Sequence, residues 1–329
     1  MTPPFSGLRV LLVAPVDDQA NAHNALRRRA LERLGCVVQH YDPERVGWLE
    51  RMIRRDQEAR LRVVLDQHRP DVVIAVGQQR LDPETVEALR GAGPRKWALV
   101  VGPDPKEAET AAAVAMAYDQ VFVGSSAGVA YLDRHGVKHV SYLALGCDPS
   151  VHKPLRARGV FRANVVFAGS ANPRREELLA ELVEYGLALW GPGWRRTSLK
   201  DYCRGELPGT EDYVRAYAGA TVAVNIHRTA SPDPSRDGTG VNQRTFELAA
   251  IGTAQVVDNR GDLPRHFEDG AEVLTFSTPD QLKGQVRRAL QEDKYRERLA
   301  ENSRQRALRQ HTYMHRMSEL LAELTGRTS

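Results

Sequence analysis

The 329-residue sequence predicts an α/β protein built of two successive parallel-sheet domains. Three observations lead there. Short β-branched apolar runs alternate with amphipathic stretches along the whole chain. The runs are apolar on both faces, as strands covered by helices on both sides must be. The alternation lapses once, across Cys147–Ala163, and then restarts; at about 100–200 residues per domain, the length suits two domains.

In the first half the pattern predicts strand Leu8–Ala14, helix Ala20–Leu34, strand Cys36–Tyr41 and a long helix ending at His68. Strand Val72–Val76, helix Pro83–Arg90, strand Trp97–Val101 and helix Lys106–Ala117 follow. Strand Val121–Gly124, helix Ala127–His135 and strand Val140–Leu143 complete it, with turn signals at Arg69-Pro70-Asp71 and His135-Gly136 between elements. The expected domain limits are 1–150, a linker 151–163 marked by Lys153-Pro154 and three arginines, a second domain 164–307, and a final helical segment 308–329.

In the second half the expected order is strand Asn164–Gly169, helix Arg174–Tyr185, strand Leu187–Trp190, helix Thr210–Ala218 and strand Thr221–Ile226. Helix Gln243–Ile251, strands Ala254–Val257 and Val273–Phe276, and helix Pro279–Gln291 come next. Polar helical sequence then runs from Lys294 to about Leu324.

Composition narrows the class. Apolar residues make up 42% and charged residues 27%, which excludes dominant disorder. No apolar run approaches the roughly 20 residues of a membrane helix. The N-terminus shows no signal-peptide pattern, and three unrelated cysteines give neither a disulfide framework nor a zinc site, so the expected compartment is the cytoplasm. Of the 46 basic residues 39 are Arg, a residue suited to forked contacts with phosphate. The net charge is only +4, and no basic stripe with interleaved aromatics points to nucleic acid.

Several signatures are missing. No Gly-x-Gly-x-x-Gly, Walker A or Asp-x-Asp sequence occurs, so a nicotinamide fingerprint and a pyrophosphate-metal motif are excluded. His311 and His315 stand four apart without an intervening Glu and read as a solvated helical face, so no metal site is expected. Gly124-Ser125-Ser126-Ala127-Gly128 fits the nucleophile-elbow pattern of serine hydrolases, with Ser126 as nucleophile. A βα turn with a serine cap explains the same residues, and no oxyanion-type His-Gly-Gly precedes it.

The second half carries the stronger constellation. Open α/β sheets bind ligands at the carboxyl ends of their strands. Those ends carry Gly169, Ser170 and Arg174; Gly191 and Trp194; Asn225, His227 and Arg228; and Asp258. Asn242, Arg244 and Glu247 open the helix between the last two. A helix start with a guanidinium outlines a diphosphate site, and Glu247 is placed to accept from ribose hydroxyls. Singly, each has a structural reading: Arg174 solvated, Asn225 and His227 closing a strand end, Glu247 paired with Arg244.

Four segments carry a family resemblance. Tyr142–Pro149 with Lys153-Pro154 resembles the linker Leu-Pro-x-Gly-x-Asp-Pro-x-x-Phe-x-Pro, with His152 in place of Phe. Val165–Ser170 with Pro173-Arg174, Val224–His227, and Asn242–Glu247 followed by Gly252 and Asp258 are the others. Together they resemble glycosyltransferases of the GT-B type, nearest the group-1 transferases that include CgeB-type spore-maturation proteins. The resemblance implies two Rossmann-like doubly wound domains facing a cleft, the final helix crossing back to the first. It implies a nucleotide-diphosphate sugar (UDP, GDP or dTDP) as co-substrate with no other cofactor, and a glycan, small-molecule or protein acceptor.

By that resemblance Arg174 and Arg228 neutralise the diphosphate, and Asn225, His227 and Asn242 orient sugar or phosphate. Glu247 holds the ribose, and Gly191–Trp194 lines the base. Retention of anomeric configuration is implied, although many retaining members carry a second Glu where this chain has Thr239. A non-catalytic sugar-nucleotide or glycan-binding relative is the other reading of that departure. An inverting reaction needs a base from the first domain, for which Asp17, His23 and Asp104 stand after strands.

Overall fold

The computed structural model describes residues 3–16, 22–43, 45, 57–77, 81–91, 93, 95–228 and 238–327. It forms two compact units: Met1–Leu145 with Gly238–Gly240 and Tyr313–Ser329, and Gly146–Asp237 with Val241–Thr312. The first unit holds β1 (Arg9–Val13), α1 (His23–Arg33), β2 (Val37–Tyr41), α2 (Gln57–His68), β3 (Val72–Val76) and α3 (Pro83–Arg90). Then come β4 (Lys96–Val101), α4 (Pro105–Ala115), β5 (Gln120–Val123), α5 (Ser126–Arg134) and β6 (Val140–Tyr142). The second holds β7 (Ala163–Ala168), α6 (Pro173–Ala180), β8 (Leu187–Trp190), β9 (Cys203–Gly205), α7 (Thr210–Ala218) and β10 (Ala220–Asn225). It continues with α8 (Gln243–Ile251), β11 (Gln255–Asp258), β12 (Leu274–Phe276), α9 (Pro279–Gln291) and α10 (Asp293–Gln310). The last helix, α11 (Tyr313–Thr325), belongs to the first unit.

Each unit is a six-stranded, all-parallel, doubly wound sheet, in the orders β2-β1-β3-β4-β5-β6 and β12-β11-β10-β7-β8-β9. The two-sided apolar strands explain this. In the second sheet Val165, Phe167, Leu189, Val224 and Val256 enter one packed layer, and Val166, Ala168, Trp190 and Ala223 the other. Adjacent residues thus feed opposite cores, each large side chain contributing about 1.5–3 kcal/mol on burial. In the first unit Leu11, Val73, Trp97, Leu99 and Val121 form the corresponding core with Leu61 and Leu65 of α2.

Local sequence fixes where helices begin. Asp82, Asp104, Asn172 and Thr278 each precede a proline, and each side chain accepts from a backbone N–H of the following turn, at 2.7, 3.0, 2.9 and 3.2 Å. Such caps contribute about 1 kcal/mol, and proline suits the first helical position.

Several expectations shift. The polar run after Lys294 is two helices, not one, because residues 311 and 312 leave the helix to pair with Cys147. Cys147 N–H donates to His311 O at 2.9 Å, and Cys147 bridges Thr312 in parallel. The last helix therefore starts at Tyr313 rather than 308. His311 is buried, with Nε2 2.9 Å from His266 O, so it does not share a solvated helical face with His315. The linker segment packs with the second unit: Leu155 and Phe161 lie against its core and His152 is fully buried. α6 ends at Ala180, ahead of a 3-10 turn over Val183–Tyr185. The strand β9 has no sequence counterpart. Residues 20 and 21, where the first helix was expected to begin, lie outside the described residues. Among the described residues no helix is long and apolar enough to cross a membrane.

Candidate functional site

The second sheet reverses its winding between β7 and β10. From β7 the order runs to β8 and β9 on one side, and to β10, β11 and β12 on the other. The carboxyl ends flanking such a switch point form a ligand crevice.

The β7 and β8 ends meet through glycine. A Cβ on Gly191, whose φ is +116°, would stand 2.6 Å from Gly169 O, so no other residue lets these loops approach. Trp194 seals the contact. It is fully buried, donates Nε1–H to Gly169 O at 2.7 Å and packs edge-on to Phe167. Its expected place lining a nucleobase is corrected on that ground: the indole faces the core and braces the loop.

Asn172 caps α6, which brings two consecutive arginines to the rim in different states. Arg174 is partly exposed and reaches Asp258 Oδ2 at 3.2 Å. Arg175 is buried. Its Nη1 donates to Ser170 O at 2.9 Å and its Nη2 to Ile226 O at 2.7 Å, and its guanidinium lies 5.1 Å from the Phe167 ring. Arg175 opens the apolar stripe Leu178, Leu179, Leu182, a periodicity that could have marked it as inward-facing.

Asp258, at the end of β11, gathers four donors. Oδ1 accepts from His227 N at 2.9 Å and His227 Nδ1 at 2.6 Å; Oδ2 accepts from Arg174 and, at 3.0 Å, from Arg260. Burial alone would raise its pKa, but the His227 donors and Arg260 reverse this and hold it well below the usual carboxylate range. The His227 pKa falls, chiefly through burial. Its Nε2 accepts Asn242 N–H at 2.9 Å, so the ring is neutral with its proton on Nδ1. Both ring nitrogens are occupied, so His227 as placed is an organiser and not a free acid or base.

Asn225 and Asn242 form a reciprocal amide pair, Nδ2 to Oδ1 at 3.2 Å and 2.9 Å. Asn242 Oδ1 also caps α8 through Thr245 N–H at 3.1 Å. The pair fixes the helix start against β10, which is the strand-closing reading of Asn225.

Glu247 pairs differently from expectation. It is 5% exposed; Oε1 accepts from Gln243 Nε2 at 2.5 Å and lies 3.3 Å from His152 Nε2, while Oε2 accepts from Tyr213 OH at 2.5 Å. Burial opposes its charge, but His152, Gln243 and Tyr213 prevail and hold its pKa at about 2. The carboxylate is spent on its own protein instead of standing open to a ribose, and its partner is not Arg244. The replacement of Phe by His152 in the linker pattern was the sequence sign of this buried pair.

Charge at the rim is unbalanced. Arg174, Arg175, Arg228, Arg244 and Arg260 converge there. Asp258 pairs with Arg174 and Arg260. Among the described residues Arg175, Arg228 and Arg244 have no carboxylate within ion-pair distance. Burial pushes Arg175 down to about 10, with Arg244 and Arg228 adding repulsion. The Arg244 guanidinium also lies over the Phe167 ring, 5.6 Å from its centroid. Asp258 and Glu247 offset part of this charge from a distance, but a buried guanidinium without a direct counter-charge is costly, and an anion at this rim would relieve Arg175.

The remaining candidates lie in the first unit. Asp104 caps α4, and His23 is the exposed first residue of α1. Asp17 lies outside the described residues. Ser125 is the cap of α5, its Oγ accepting Gly128 N–H at 3.2 Å. Ser126 Oγ stands 3.0 Å from Thr239 Oγ1, which also accepts Ala127 N–H at 3.0 Å. Among the described residues no group of three or more His, Cys, Asp or Glu could hold a metal ion.

Residues 174–322 match the family model described as glycosyl transferase-like. No match is found among curated protein sequences. The fold is similar to that of solved GT-B proteins across nearly the whole chain. Sucrose-phosphate synthase from Thermosynechococcus elongatus superposes with TM-score 0.71 at 16% identity, covering 97% of this chain and 99% of that one. HepE of Anabaena, solved with UDP and glucose, gives 0.65 at 13%, covering 97% and 100%. A putative UDP-N-acetylglucosamine 2-epimerase from Listeria monocytogenes gives 0.58 at 11%, covering 98% of each chain.

Proposed function

We propose that this protein is a glycosyltransferase that takes its sugar from a nucleoside-diphosphate sugar. The observation that carries the reading is the gathering of guanidiniums at the β7/β10 switch point, where among the described residues Arg175, Arg228 and Arg244 have no carboxylate within ion-pair distance. The glycosyl transferase-like match over 174–322 supports it, as does the UDP bound to HepE. The fold by itself does not separate transfer from epimerisation.

In this reading Arg174, Arg228 and Arg244 face the diphosphate and stabilise the charge that develops as it leaves. The Gly169–Ser170 backbone and the start of α6 add N–H donors. Asp258, His227, Asn225 and Asn242 hold these groups in place. The finer readings are a CgeB-type relative, hexosyl transfer with retention of configuration, independence of divalent metal, and action in the cytoplasm on a glycan, small-molecule or protein hydroxyl. They rest on the sequence resemblance alone.

The test is a thermal-shift panel with UDP, GDP and dTDP, followed by release of UDP from UDP-glucose with and without acceptors. A nucleotide at about 100 times its Kd raises stability by about 2.7 kcal/mol. Donor turnover separates an enzyme from a binding protein. Activity retained in EDTA supports metal independence, and the anomer formed decides retention. No stabilisation by any of the three nucleotides overturns the proposal.

A further inference from the structure

We infer that Arg175 is a positioning residue that sets the width of the ligand crevice by clamping together the two strand-end loops on either side of the switch point. This rests on the reading of the rim as a nucleoside-diphosphate site.

The geometry is specific. β7 and β10 are paired as far as Val166 and Ala223, two residues short of their ends, and the chain leaves them in opposite directions. Past the strand ends, among the described residues, no sheet bond joins the loop bearing Ser170, which leads into α6, to the one bearing His227 and Arg228. One guanidinium spans that gap: Nη1 takes Ser170 O at 2.9 Å and Nη2 takes Ile226 O at 2.7 Å. Ser170 Oγ is a weaker third contact at 3.4 Å.

The planar fork fixes the two carbonyls relative to each other, which a flexible ammonium cannot do. Phe167 supports it from one side. Arg175 itself is 4% exposed, and its buried Nε has no hydrogen-bond partner among the described residues. It therefore acts on a ligand through the loops it holds and through its field, while its neighbour Arg174 stands partly exposed on the same helical turn. Buried arginines are seldom left unpaired, and among the described residues no carboxylate stands within ion-pair distance of Arg175.

The experiment compares UDP binding to wild type, Arg175→Lys, Arg175→Gln and Arg228→Ala by calorimetry over a range of salt concentrations, with melting temperatures recorded alongside. Arg175→Lys keeps the charge and loses the fork. Its UDP affinity should fall at least tenfold while its salt dependence stays that of wild type. Arg228→Ala should instead flatten the salt dependence. Arg175→Gln should lose at least as much affinity as the Lys variant. Wild-type affinity in Arg175→Lys, with or without a lowered melting temperature, overturns the positioning role and leaves the proposed function standing. Loss of the folded state in both Arg175 variants also overturns it, because the residue is then structural. Absence of UDP, GDP and dTDP binding by wild type removes the proposed function and this role together.

Discussion

His227 Nδ1 lies 2.6 Å from Asp258 Oδ1, and this pair organises the rim of the second unit. The same carboxylate takes the His227 backbone N–H and two guanidiniums, while the far side of the ring takes Asn242 N–H. One acidic group thus fixes the end of β10, the start of α8 and the direction of Arg174.

Asp258→Asn removes the charge that balances Arg174 and Arg260. Breaking a buried pair on one side costs about 3–5 kcal/mol. We expect a loss of that size in urea unfolding, together with weaker UDP binding. A variant as stable as wild type would show that the rim does not depend on this carboxylate.

Glu247 makes stability depend on acid pH. Its folded pKa is held near 2, below the ordinary value of about 4.3. A depressed carboxylate contributes stability above its unfolded pKa and loses it as pH falls through the folded one. The contribution, on the order of 3 kcal/mol, should fade between about pH 5 and pH 2. Glu247→Gln should be less stable at pH 7 and flatter across that window, as read by urea titrations at each pH. A variant with the wild-type pH slope would contradict the assignment.

Arg228 is exposed and has no ion-pair partner among the described residues, so Arg228→Ala should leave the melting temperature within a degree or two. Lost diphosphate contact should lower UDP affinity by about tenfold, the scale of one charge-assisted hydrogen bond. Arg174→Ala should likewise weaken binding more than folding, since its pairing with Asp258 is partly exposed. A large fall in melting temperature with intact binding would make Arg174 structural.

Trp194→Phe keeps an aromatic ring in the core and deletes the donor to Gly169 O. An unsatisfied buried carbonyl costs about 1–3 kcal/mol. We expect a stability loss in that range and a secondary loss of UDP affinity through the β7 loop. Unchanged stability would return the indole to the ligand surface.

Much of this protein could be read without coordinates. Both-face apolar runs determined two parallel sheets, because a strand buried on two sides has no polar face to expose. The edges of the periodic runs placed four helix starts at, or one residue past, Pro83, Pro105, Pro173 and Pro279, because cap and fixed φ act within one turn. Reading along the carboxyl ends of the strands places Gly169, Arg174, Asn225, Arg228 and Asn242 at strand or helix ends of the second unit.

Tertiary structure decided what those residues face. Arg174 meets Asp258 across 84 positions and Gln243 shares Glu247 with the distant His152; only sheet topology creates such neighbours. It also decided which carbonyls Arg175 holds, that Trp194 is core, and that the C-terminal helix breaks at His311 to pair with Cys147. Periodicity reports whether a side chain is near a core or near water. It carries no information about which distant donor or charge waits there, and at this rim that partner determines whether a side chain is free for a ligand or already engaged.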